Sequence, residues 1–336
     1  MDLALSDDQE RLVSVFQTFF AKESPPDRVR DAEPLGFDAE LWAKLADLGG
    51  PGIGPGAALL DLELICEQLG GALAPVPLVD VLVCARLLDA AGPDGEEDLA
   101  AATGTPPALV AFALRPAVDG ISRMVPAGAV ADIVVGLDED ELVAVTSPPD
   151  RGSPANLGAV PMADRSLRTG SRRVLAAGPR ATALAAAAAD EWRVLTAGAL
   201  VGLAAAALDV GVSYAKSRHQ FGVPIGSFQS IARDLADAAT AVDGARLLVR
   251  EAAWAADEST DEMAALASMA FLFAARTAQQ AAGTALHVHG GYGYMLEYDI
   301  QLYYRRAKAW TLAAGDPRRG VQHLADALFG PVTGGR

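Results

Sequence analysis

Residues 287–316 read HVHGGYGYMLEYDIQLYYRRAKAWTLAAGD. A turn containing Gly290, Gly291 and Gly293 opens a segment in which Tyr303, Tyr304, Ala307 and Trp310 recur at helical spacing. The glycines let backbone come close to a ligand and expose N–H groups, while Tyr292 and Tyr294 offer flat faces. A glycine cluster by itself is a weak signal, and this one does not follow a strand as a dinucleotide fingerprint would. The residues at helical spacing read as core or subunit packing rather than as a substrate box. His287 and His289 have no third ligand nearby at i, i+4 spacing, so no metal site is expected. Nothing acidic or nucleophilic stands at the end of the segment until Asp316.

Upstream, residues 213–237 read SYAKSRHQFGVPIGSFQSIARDLAD. One helix should end near Arg218, a tight loop through Gly222, Pro224 and Gly226 should follow, and Ser227 is placed to cap the next helix. Arg218 lies beside that loop, where its planar fork suits a phosphate. Read as pattern alone, the stretch is equally a helix–helix connection with a solvated arginine.

Around these two motifs the chain changes texture twice. Residues 3–22 place Leu5, Leu12, Phe16, Phe19 and Phe20 at roughly helical spacing, with Ser6 as N-cap and Gln9 three residues on. Further helical runs follow at 37–48, 57–70 and 76–91, broken by GGPGIGPG. Between about 106 and 180, PALVAFAL, ADIVVGLDEDELVAVTS and SRRVLAAG are short β-type runs between Gly, Pro and Asp clusters. Long Ala/Leu-rich helical segments return at about 183–217, 228–256, 260–287 and 297–313, with a short closing helix near 317–328. The expected architecture is mostly α with a small β domain: a helical domain over 1–104, a reduced β domain over 105–182 and a four-helix bundle over 183–336.

The 336 residues, 51% of them hydrophobic, suffice for a substantial core. A net charge of −16 argues against a nucleic-acid surface, which needs clustered Lys and Arg. Any anionic ligand must therefore meet a local cationic site. The Ala-rich runs are interrupted by charges before reaching the ~18 apolar residues of a membrane span. No export signal is visible at the acidic N-terminus, and two cysteines, Cys66 and Cys84, make no disulfide framework. A cytoplasmic location is expected.

RHQFGVPIGSFQ (218–229) together with HVHGGYGYMLEYDIQLYYRRAK (287–308) resembles the paired motifs of the flavin-dependent acyl-CoA dehydrogenases. LSDDQERL (5–12), LWAKLADLG (41–49) and EQLGGALAPVPL (67–78) are similar to that family's opening helices, so the resemblance spans nearly the whole chain. It implies the helical, β, four-helix order and FAD shared across a subunit interface. Carried over by position, Arg218, Gln220 and Phe221 would contact the diphosphate and adenine of a neighbour's FAD, joined by Gln229, His287 and Gly291.

Two departures from the family stand out. The usual base, a Glu near the helix end, falls on Ala314, and alanine cannot take a proton. A minority of members carry the base on the first C-terminal helix. That position falls on Trp192, with Glu191 one residue early and so rotated by ~100° on the helix. The stretch 106–180 also lacks the Thr-Glu-x-x-Ala-Gly-Ser-Asp and Trp-Ile-Thr runs that hold the flavin ring. The half-site that reaches a neighbour's FAD is kept, and the half that holds flavin and base is lost. The resemblance is thus to the shorter, base-lacking subunit of α2β2 steroid-type acyl-CoA dehydrogenases, whose larger subunit would supply the base, the flavin pocket and most acyl-CoA contacts. A self-sufficient homomeric dehydrogenase using Glu191 or Asp316, and a non-catalytic structural protein of the same fold, are the alternatives.

Overall fold

The computed structural model describes residues 4–149, 152–313 and 315–330. Its elements run in the order α1 (Asp7–Glu23), α2 (Pro26–Asp31), α3 (Ala39–Asp47), α4 (Leu59–Gly71), α5 (Leu78–Ala91), α6 (Glu96–Thr103), β1 (Val110–Phe112), β2 (Ile121–Val125), β3 (Ile133–Asp138), β4 (Glu141–Thr146), β5 (Ala163–Ser166), β6 (Ser171–Ala177), α7 (Gly178–Ser217), β7 (His219–Gln220), β8 (Val223–Pro224), α8 (Gln229–Asp257), α9 (Met263–His289), α10 (Ile300–Trp310) and α11 (Pro317–Phe329). The capping box expected at Ser6 is present: its hydroxyl accepts from the Gln9 N–H at 3.3 Å, and the Gln9 side chain accepts from the Ser6 N–H at 3.1 Å.

The chain divides into two compact units. One comprises Met1–Arg28, Glu63–Ala74 and Arg193–Arg336; the other comprises Val29–Leu62 and Pro75–Trp192. The second unit holds a four-stranded sheet of order β1-β3-β4-β6, in which β1 and β3 are parallel and the other pairs antiparallel. Residues 133–136 of β3 are all buried, so the apolar run IVVG is covered on both faces and does not alternate. A separate pair, β2 and β5, is antiparallel. ISRMV and ADRS carry too little apolar periodicity to be read as strands, and tertiary pairing creates them. Beside them Arg165, 5% exposed, donates to the carbonyls of Gly128 at 2.6 Å and Ala131 at 2.8 Å, and to the Ser147 hydroxyl at 2.7 Å. A buried guanidinium is tolerable when its donors are satisfied this way.

In the first unit α8 and α9 form the most extensive helix pair, with α10 and α11 packed on α9. The unit's part of α4 and its part of α7 approach backbone to backbone. A Cβ on Gly70 would run into the carbonyl of Ala199, and one on Gly202 into the carbonyl of Glu67. At the same crossing Arg246 of α8 donates through Nε to Glu67 Oε1 at 2.8 Å. Glu63, one turn earlier, is fully buried. Burial and the neighbouring Glu67 push its carboxyl up to about 8, against the opposing pull of Arg250 and Arg246. Arg306, in α10, is 2% exposed.

Helix α7 is long and apolar enough to cross a bilayer by composition, with mean hydropathy 1.8 over its best 18 residues, but 78% of that window is buried within the protein. It is therefore a core helix. It starts at Gly178, rather than at residue 183, with Pro179 in its first turn, where proline's missing N–H costs nothing.

Candidate functional site

The two C-terminal motifs meet within the first unit. Residues 219–224, expected as a plain loop, form a minimal hairpin in which His219 pairs with Pro224 and Gln220 with Val223. Its turn puts both Phe221 (φ 55°) and Gly222 (φ 83°) in the left-handed region, which glycine adopts freely and phenylalanine only at a cost. Phe221 is 93% exposed and meets Phe228 edge to face, at 6.2 Å between ring centroids.

Arg218 is exposed and forms no ion pair among the described residues. Its guanidinium lies over the Tyr292 ring at 5.8 Å from the centroid, so the first motif touches the glycine-rich turn. Nothing lies within 4 Å of a Cβ built on Gly222, Gly290 or Gly291. Gly293, by contrast, is packed against the carbonyl of Leu286, so its role is to let the turn close. Gln220 and Gln229 are exposed, and so is His287 in the last turn of α9.

Ser227 does not cap α8. The N-cap is Phe228, in an extended conformation without a side-chain cap. The 3-10 turn at Ile225–Ser227 draws the Ser227 hydroxyl back to donate to the Pro224 carbonyl at 2.7 Å. The leading N–H groups of a 29-residue helix thus receive no cap from the N-cap side chain, a favourable place for an anion.

Beneath the exposed residues lies an aromatic stack that sequence reading missed. His289, 5% exposed, stacks on Tyr214 at 4.1 Å and 23°, and its Nδ1 lies 2.7 Å from the Ala285 carbonyl. Tyr298 meets His289 edge-on at 6.1 Å and Tyr292 at 5.4 Å. The clue available in sequence was Tyr214, one helical turn before Arg218.

The residues weighed as a displaced base sit in very different surroundings. Glu191 is gripped by Arg86, whose Nε donates to Oε2 at 2.9 Å and whose Nη2 donates to Oε1 at 3.0 Å; Arg86 Nη1 also donates to the Ala57 carbonyl at 2.6 Å. Both carboxylate oxygens are thus committed to one bidentate pair with Arg86, a structural contact. Trp192, on the position of the minority base, is 3% exposed and donates to Asp80. Burial pushes the Asp80 carboxyl up to about 7, with the Trp192 hydrogen bond opposing. Cys66 and Cys84 are both buried and not bridged to each other, and burial also pushes the Cys84 thiol well up. Asp316 is exposed. Ala314 lies outside the described residues. Among those residues no group of three or more His, Cys, Asp or Glu is arranged to hold a metal ion.

Comparison with known proteins now gives this geometry a setting. Residues 182–328 match the acyl-CoA dehydrogenase C-terminal domain. The whole chain is similar to the acyl-CoA dehydrogenase IpdE2 of Mycolicibacterium smegmatis, with 30% identity covering 97% of this chain and 100% of that protein. Among solved structures, the ChsE4-ChsE5 complex from Mycobacterium tuberculosis superposes with TM-score 0.82 at 25% identity, covering all of both chains. A variant of the Tcur3481-Tcur3483 steroid acyl-CoA dehydrogenase superposes with TM-score 0.79 at 25% identity, covering 96% of this chain and 98% of that one. The chain belongs to the acyl-CoA dehydrogenase family, whose members are FAD-dependent oxidoreductases.

Among the described residues, an exposed arginine without an ion pair, a helix start without a side-chain cap and open glycine backbone make surroundings that suit an anionic group such as a phosphate.

Proposed function

We propose that this chain is the smaller subunit of a heteromeric, α2β2 acyl-CoA dehydrogenase, holding the adenosine-diphosphate end of FAD while a larger subunit supplies the flavin pocket and the catalytic base. The observation that carries the reading is Arg218: in a chain of net charge −16, a guanidinium with no carboxylate on it among the described residues sits over Tyr292 beside open glycine backbone. FAD, when bound, supplies the hydride acceptor for α,β-dehydrogenation of an acyl-CoA thioester. In this chain Arg218 neutralises the diphosphate, Gln220, Gln229 and His287 offer polar contacts, and Phe221 and Gly291 present apolar and backbone surface to the adenine. The base would come from the partner, because Ala314 cannot accept a proton and Glu191 is clamped by Arg86. The steroid acyl-CoA dehydrogenase among its structural relatives supports a bulky steroid side-chain thioester as substrate, carried mainly by the partner. A cytoplasmic, membrane-independent assembly fits this reading.

The test is co-purification with the candidate larger subunit, with and without Arg218→Ala. The expected outcome is a yellow complex with one FAD per pair of chains, and a loss of about 10- to 100-fold in FAD affinity for the variant. A chain that is yellow and active by itself, or a variant complex with undiminished FAD, would overturn the proposal.

A further inference from the structure

Arg218 is an exposed side chain, yet it is not left to wander. Its backbone N–H donates to the Tyr214 carbonyl at 2.9 Å, and its guanidinium rests on Tyr292. Between those two anchors runs an unbroken chain of ring contacts, Tyr214 to His289 to Tyr298 to Tyr292. The contacts therefore close a circuit that begins and ends on Arg218. His289 occupies its middle: it is the one buried ring, it is stacked face to face on Tyr214, and its Nδ1–H donates to the Ala285 carbonyl, which fixes the ring plane and leaves Nε2 unprotonated in the neutral tautomer.

We infer that His289 is a positioning residue that presets the guanidinium of Arg218 for a diphosphate, through the ring circuit Tyr214–His289–Tyr298–Tyr292. The circuit explains why a histidine is buried at the end of α9 beside glycines whose Cβ positions stay open. Long arginine side chains lose rotamer freedom when they bind, and a guanidinium already laid against a fixed ring loses less. His289 would touch no ligand; it acts by holding Tyr292 and the end of α7 in register. This inference rests on the reading of Arg218 as the diphosphate contact.

The experiment uses trypsin, which cuts after arginine, on the full-length chain. The Arg218–His219 bond lies at the start of the exposed hairpin, and its cleavage rate reports how firmly Arg218 is held. Cleavage after Arg233, inside α8, is the control for global unfolding. His289→Ala is expected to speed the Arg218 cut about tenfold relative to the Arg233 cut. His289→Phe keeps a face for both tyrosines and should restore a rate near that of the native chain. An Ala variant that cuts at Arg218 no faster than the native chain would overturn the inference, as would a Phe variant that fails to rescue. If His289→Ala does not fold, Tyr298→Leu breaks the same circuit at a half-buried ring and carries the same expectation. Adding millimolar ADP separates the two readings. Slower Arg218 cleavage in the native chain supports the diphosphate site, whereas ADP without effect, alongside a fast-cutting Ala variant, removes that site and leaves the positioning role intact.

Discussion

The hairpin and glycine turn around Arg218 and the cluster around Trp192 are built on opposite plans. At the first, polar and aromatic groups are exposed: Arg218 has no ion-pair partner among the described residues, Phe221 faces outward, and Gly290 and Gly291 face open space. At the second, the groups are closed on each other: Glu191 is held at both oxygens by Arg86, and Trp192 is buried against Asp80. Closed polar groups serve stability, while open ones are left for something that arrives later.

The comparison breaks if a substitution in the closed cluster disturbs cofactor binding, or one at the open site disturbs folding. The largest effect is expected for Trp192→Ala, which empties a buried indole position and should cost about 3–5 kcal/mol in chemical denaturation, with FAD retained by whatever fraction of the complex stays folded. Next is Asp80→Asn. The folded Asp80 holds its proton up to about 7, against an ordinary value of 3.8. Its contribution is thus fully present below that ordinary value and is lost as pH rises through the window from 3.8 to about 7, because the unfolded chain ionises first. The Asn variant should lack this loss, so its stability relative to the native chain should climb with pH across that window in urea titrations; parallel curves would show that Asp80 does not titrate in this way. The smallest effect on folding belongs to Gly291→Ala. A methyl there meets no atom within 4 Å, so stability should stay within about 0.5 kcal/mol, while FAD affinity of the complex falls about tenfold as the methyl intrudes on the cofactor.

Much of this could be read in the sequence, for physical reasons that also explain what could not. Long helices announce themselves through many repeats of one period, and α8, expected over 228–256, runs Gln229–Asp257. Short elements carry too few repeats. Helix α2, strands β2 and β5, and the hairpin at residues 219–224 depend on tertiary partners and left no pattern of their own. At the site, Arg218 and Gly291 were visible as residue types whose chemistry suits an anion. The mismatch at Ser227 arose because a hydroxyl can bond backward into a 3-10 turn as readily as forward into a helix. The ring circuit through His289 and the grip of Arg86 on Glu191 join residues up to 105 positions apart, and no local pattern encodes such distances.

The glycine crossing of α4 and α7 has a consequence for the order in which the protein comes apart. Gly70 and Gly202 bring the two backbones so close that no water or reagent fits between them without separating the helices. Amide hydrogens along that crossing should exchange with deuterium last, and only through complete unfolding, whereas those of residues 219–223 should exchange within the first seconds. The slowest and fastest clocks in the molecule would then lie on the same forty-residue helix and just beyond its end.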